Sequence, residues 1–301
     1  METLNRKISV VEPVGPAIEQ VKQMLFKPFD LGKWFIIGFC AWLAGLCYQT
    51  TAGLNYISSF DKSKIPPEVI EYCKNHIILI GSVIFVMIVI SVTVSVLLTW
   101  LSSRGKFMFL DCVIKNKADI AEPWRNFKKQ ANSLFLFRLV LLLSTVVVIL
   151  PFAGLCLYSI HLFNIAVKIM ILTAGMSGVV LIAMAAATIQ TLTYDFVMPI
   201  MYINKINALA AWKIFWPVFW QNFWKISLLY FLFKAVLAMA IGAIVLFVFC
   251  AGCCLCCISA VIFIPYINAV VMLPVLSFYR LYPLFYFRQY GAEFDVFAVK
   301  S

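Results

Sequence analysis

The sequence predicts an all-α integral membrane protein: six transmembrane helices arranged as three parallel two-helix repeats, with interfacial helices on the cytosolic side. Three observations predict it. Hydrophobic residues make up 64% of the 301 residues and charged residues 12%, more apolar surface than a soluble domain of this length can hide from water. Six apolar stretches, at about 34–54, 77–101, 134–160, 169–193, 226–252 and 258–278, each approach the roughly 20 residues that cross a bilayer as a helix. Lastly, 20 of the 24 Lys and Arg residues fall in alternate gaps between those stretches.

Taken in order, residues 1–33 form a cytosolic leader. Its segment from Pro16 to Phe26 is an amphipathic helix, with Ile18, Val21 and Leu25 on one face and Glu19, Lys22 and Gln23 on the other. The membrane domain covers 34–285. Leu139–Leu150 and Leu237–Phe249 are apolar on all sides, which excludes the period-two alternation of a barrel strand. Residues 286–301 are a cytosolic tail. Basic loops stay cytoplasmic, so both termini are expected on the cytosolic side of a cytoplasmic (inner) membrane. The formal charge of +11 is then one-sided. Its expected partners are anionic lipid headgroups, with a membrane-protein partner beside them and no nucleic acid.

The chain resembles itself at an offset of 88 residues: Asn116-Lys117 with Asn204-Lys205, Trp124-Arg125 with Trp212-Lys213, Phe127 with Phe215. Both copies follow an even-numbered span. The leader offers a looser third copy, giving three units of an interfacial helix plus two spans. Trp212, Trp216, Trp220 and Trp224 recur every four residues. With Trp124 they are expected to form a collar at headgroup level, where indoles bury the ring and keep the N–H wet.

Chemistry-bearing residues are sparse. Arg104, Asp111 and Asp195 sit at the cytosolic ends of spans two and four, and Arg104 and Asp111 are seven apart, on one face of a continuing helix. In span six, Pro265, Pro274 and Pro283 recur every nine residues with Asn268 between the first two. Their freed carbonyls, facing Gln190, would line a pathway along spans four and six. Cys250, Cys253, Cys254 and Cys257 follow helical spacing without a His, Asp or Glu nearby. Close packing of small residues explains them better than a disulfide or a metal site. Ala41/Gly45, Ala174/Gly178 and Ala238/Gly242 suit helix contacts. No nucleophile with a base, phosphate loop or metal cluster can be assembled, so neither enzyme activity nor a cofactor is expected.

Several stretches resemble a known family: Ser103 to Asp111, Glu122-Pro123-Trp124-Arg125, Asp195 to Tyr202, and Leu273-Pro274 to Gly291. They look like an uncharacterised family of bacterial and archaeal six-span membrane proteins, itself similar to the membrane domain fused to some glycerophosphodiester phosphodiesterases. The resemblance implies the six-span fold and a place near membrane lipids. It carries no site residues, and no soluble segment here is long enough for the catalytic barrel of those enzymes. Three functional classes follow in order: a non-enzymatic component organising lipids or protein partners, a transporter or lipid-moving protein, and an intramembrane enzyme.

Overall fold

The structure is a computed structural model that describes residues 8–52, 76–159, 164–253 and 264–298. Among them there are helices and no strands. Helix α1 (Val14–Phe26) leads into α2 (Leu31–Ala52). Then follow α3 (Ile77–Lys115), the short α4 (Ala121–Asn126), α5 (Lys128–Ser159) and α6 (Ile165–Leu192). A π-helical turn at Thr193–Val197 joins α6 to α7 (Met198–Asn204). Helix α8 (Ala208–Gln221), a second π-helical turn (Lys225–Tyr230) and α9 (Phe231–Cys253) come next. The chain closes with α10 (Pro265–Val271) and α11 (Leu273–Arg288).

Among the described residues three helices are long and apolar enough to cross a membrane: Ile78–Lys115, Lys128–Ser159 and Ile165–Asn204. The pair α10 and α11, bent by 65°, makes a fourth if counted as one span. Leu31–Leu46 and Leu228–Ala243 are shorter apolar helices. The outward faces of α3, α5, α6 and α9 carry Ile78, Val86, Leu142, Val147, Met170 and Leu232, all exposed. The accessible surface is 19311 Å², against roughly 12,800 Å² expected for a soluble chain of this mass. Hydrocarbon rather than water is the solvent such faces suit.

Burial concentrates at one end. The core is built from residues 102–114 of α3, 192–202 around the first π turn, and 269–287 of α10 and α11, with α1, α4 and α8 packed around them. Two features bear on the sequence expectations. The helices that carry spans two and four run on past 101 and 193, and Arg104, Asp111 and Asp195 are buried in this core. Pro265 and Pro274 do not sit inside one kinked helix. Each occupies the first turn of its own helix, where the missing N–H costs nothing. Of these three prolines only Pro283 lies in a helix interior.

Local signals explain the ends. Asp30, Asp119 and Asn164 each accept backbone N–H groups two and three residues on, opening α2, α4 and α6. Helix α3 ends at Asn116 with φ 57° and α7 at Lys205 with φ 53°. Asn tolerates that left-handed region, whereas Lys carries a Cβ penalty of about 1 kcal/mol. Lys205→Gly should therefore raise thermal stability by up to about 1 kcal/mol in detergent, provided Gln130 Nε2 keeps its 2.8 Å bond to the carbonyl of residue 205. An unchanged or lower unfolding midpoint would contradict this.

The helices pair closely where side chains are small. Antiparallel α2 and α3 cross at Gly105, where a Cβ would lie 2.6 Å from the Ala44 nitrogen. Gly38 meets Val270 of α10 in the same way, and Gly178 of α6 meets the Phe152 ring of α5. Of the small-residue pairs expected, Gly178 makes such a contact; Gly45 and Gly242 face open space.

Candidate functional site

The polar side chains gather in the buried end, and aromatic rings order them. Phe127, at the α4–α5 junction, stacks on Phe107 of α3 at 5.8 Å and on Tyr202 of α7 at 4.8 Å. Phe215 of α8 stacks on Phe196 of the first π turn at 5.4 Å and meets Phe287 of α11 edge-on at 6.2 Å. Phe127 and Phe215, 88 apart in sequence, thus each sit between two rings of other elements. Such pairs contribute about 0.5–1.5 kcal/mol each beyond area burial.

Arg104 is buried with its guanidinium carbon 4.7 Å from both the Trp100 and Trp124 rings, and its Nη2 donates to Asn132 at 3.3 Å. It does not meet Asp111. Seven residues of α-helix share a face but separate the two by about 10.5 Å along the axis. Asp111 instead accepts from Tyr202 Oη at 2.7 Å and pairs with Lys115 at 3.1 Å. Arg104 and Asp111, though on one helix, therefore belong to two separate groups of contacts.

Asp195 is 1% exposed. Its Oδ2 accepts from Tyr230 Oη at 2.9 Å and forms an ion pair with Lys234, while Oδ1 has no hydrogen-bond partner. The π turn explains the aim: Met198 N–H reaches back five residues to Thr193 O, and the extra residue rotates the following side chains. Tyr194 beside it is flanked by two cations, Lys106 Nζ at 4.6 Å and the Arg280 guanidinium at 4.1 Å. Arg280 Nη1 also donates to Tyr194 O at 2.6 Å.

Gln190 lines a cleft between α3, α5 and α6 together with Lys106, Phe137, Arg138, Thr193 and Tyr194. Arg138 Nη1 donates to Ser103 Oγ at 3.2 Å and more loosely to Ser102 at 3.5 Å. Pro274 lines a different groove, wholly apolar, with Val14, Ile18, Leu237, Ile241 and Phe278. Asn268 and Pro265 are exposed and line neither. The pathway residues anticipated along spans four and six are thus not brought together.

The collar also divides. Trp124 packs on Arg104, and Trp212 stacks on Phe137 at 6.0 Å. Trp216, Trp220 and Trp224 stand outward, 51%, 58% and 73% exposed. Of the cysteine cluster, Cys250 is exposed and Cys254 and Cys257 lie outside the described residues. Among the described residues no group of three or more His, Cys, Asp or Glu could hold a metal. In the tail, burial and a 2.8 Å hydrogen bond with Tyr286 raise the Tyr290 phenol well above its ordinary pKa.

Sequence reading passed over Lys106, Tyr194 and Arg280 as site residues. The signal for Arg280 was available: a lone Arg inside the apolar run Leu273–Phe287 needs a buried partner.

Fold and site together define an all-helical protein, with helices able to cross a membrane, built on a buried basic and aromatic core. Over residues 8–266 the chain matches the family of unknown function DUF7544, and it belongs to that family. No curated protein and no solved structure matches it.

Proposed function

We propose that this chain is a non-enzymatic six-span protein of the cytoplasmic membrane that organises anionic lipid on its cytosolic side. The observation that carries the reading is the outward row Trp216, Trp220 and Trp224 on and just after the interfacial helix α8. Its indoles stand beside a core rich in Lys and Arg. Exposed indoles prefer the headgroup region, and basic groups at that depth attract anionic lipid by about 1 kcal/mol each.

The chain ends favour an even number of crossings. Ser9 N–H donates to Gln289 Oε1 at 2.8 Å, Gln289 Nε2 donates to Ser9 O at 2.9 Å, and Tyr282 Oη donates to Val10 O at 2.9 Å. Segments bonded to each other occupy one side of a bilayer, and the basic gaps make that side cytosolic. That Phe127 and Phe215 each sit between two rings of other elements favours the parallel repeat, with α1 against α11 as its third member.

The test is lipid composition. The full-length protein, extracted into nanodiscs and analysed by lipid mass spectrometry, should carry phosphatidylglycerol and other anionic lipids several-fold above their share of the membrane. Trp216→Ala with Trp220→Ala and Trp224→Ala should reduce that excess. A lipid complement equal to the bulk membrane, in both wild type and variant, would remove the proposal.

A further inference from the structure

Two thiols meet inside the crossing of α2 and α3. Cys112 Sγ lies 4.0 Å from Cys40 Sγ, and both residues are enclosed. They are 72 residues apart in sequence, so no local spacing marks them. Cys40 stands one helical turn before Ala44 on one face of α2, and Cys112 two turns after Gly105 on one face of α3. Gly105 meets the Ala44 backbone directly, so the sulfurs belong to the tightest part of the crossing. Cys156 shows the other use of a thiol. It packs on α6 at Gly175, where a Cβ would lie 2.6 Å from its sulfur. A thiol that only fills space needs no second thiol facing it. Cys112 Sγ also donates to Asp119 O at 3.4 Å. Asp119 is half-buried in the loop after α3, beside exposed Lys117 and Ile120, which makes Cys112 the sulfur nearer water.

We propose that Cys40 and Cys112 are a redox pair, closed by a small uncharged peroxide into a disulfide that ties α2 to α3 and reopened by a dithiol reductant. The inference does not rest on the lipid reading. A disulfide holds its sulfurs about 2.0 Å apart, so side-chain rotation has about 2 Å to close. In the first step the Cys112 thiol gives its proton to water, and its thiolate attacks one peroxide oxygen. The O–O bond breaks, and the departing hydroxide takes up a proton to become water. In the second step the Cys40 sulfur attacks the Cys112 sulfenic acid at sulfur. The S–O bond breaks, and the hydroxide leaves as water with the Cys40 proton. Two sulfurs are oxidised and one peroxide is reduced to two waters. Enclosure keeps out bulky charged oxidants such as glutathione disulfide. The bridge would fix α3, the helix that carries Arg104, Lys106 and Asp111 into the buried end.

Peptide mapping of the full-length protein in nanodiscs tests this. Samples treated with hydrogen peroxide or with glutathione disulfide are alkylated with N-ethylmaleimide, digested and analysed by mass spectrometry. Peroxide should yield the Cys40 and Cys112 peptides joined, with the loss of two hydrogens and of alkylation at both positions. Dithiothreitol should restore both thiols. Glutathione disulfide should leave them alkylated. The bridged protein should unfold several degrees higher than the reduced protein, and Cys112→Ala should lose that shift. Cys40→Ala should leave Cys112 as a sulfenic acid that dimedone traps. The wild-type map stands by itself if either variant fails to fold. Both thiols recovered alkylated after peroxide, or Cys112 carried on to a sulfinic acid unbridged, overturns the pair. Equal bridging by glutathione disulfide overturns the peroxide selectivity, and an oxidised midpoint no higher than the reduced one overturns the tie between α2 and α3.

Discussion

Asp195→Leu and Lys234→Met should each destabilise the protein by about 3–5 kcal/mol, while the double variant loses much less than the sum. Asp195 is fully enclosed; Tyr230 reaches it from the second π turn and Lys234 from the helix that follows. Removing the carboxylate leaves an ammonium without its counter-charge and a buried phenol hydroxyl without an acceptor. Removing the ammonium leaves a buried carboxylate with Oδ1 already unpartnered and Oδ2 held by Tyr230 alone. A buried ion pair replaced by two apolar side chains of similar size sheds both desolvation costs together. Thermal and denaturant unfolding of the two single variants and the double variant in one detergent gives the coupling directly. Additive losses would mean that the two residues do not act as a pair.

How far the sequence revealed this arrangement depended on the range of each signal. Helical class followed from long runs without alternation. The offset relating Phe127 to Phe215 was legible because similar residues, Asn-Lys before and Trp-Arg or Trp-Lys beside, surround both. The span ends were less legible. Arg104, Lys106 and Asp111 read as a membrane boundary in any hydropathy window, yet α3 carries them onward into a core where rings and hydroxyls receive them. Periodicity found the Trp row but could not show that Trp124 is covered by Arg104, since that contact depends on how α4 turns back onto α3. The expected link between Gln190 and Asn268 failed for the same reason. One faces α3 and α5 across a cleft, the other lies beyond the 65° bend of α10 and α11, and nothing local in either segment encodes that bend except the paired helix-starting prolines.

The crossing of α2 and α3 should be the least forgiving contact in the molecule, and Gly105→Ala should expose it. The added methyl would lie 2.6 Å from the Ala44 nitrogen and 2.7 Å from the Leu43 carbonyl carbon. These are backbone atoms in mid-helix, so the helices must part instead of a side chain rotating. Parting them disturbs Ser102 Oγ, which donates to Ala44 O at 2.8 Å, and Cys112, whose Sγ lies 4.0 Å from that of Cys40. Overpacking of this kind costs about 1–3 kcal/mol, and Gly105→Leu should cost more or abolish folding. Gly178→Ala is the informative comparison. Its nearest neighbours are Phe152 ring atoms at 2.3 and 2.4 Å, the far end of a half-buried side chain that can swing aside. The Ala substitution at 105 should therefore lower the unfolding midpoint distinctly more than the one at 178, although the second starts from the shorter distance. Equal losses, or a larger loss at 178, would mean that the backbone crossing of α2 and α3 does not hold this end of the protein together.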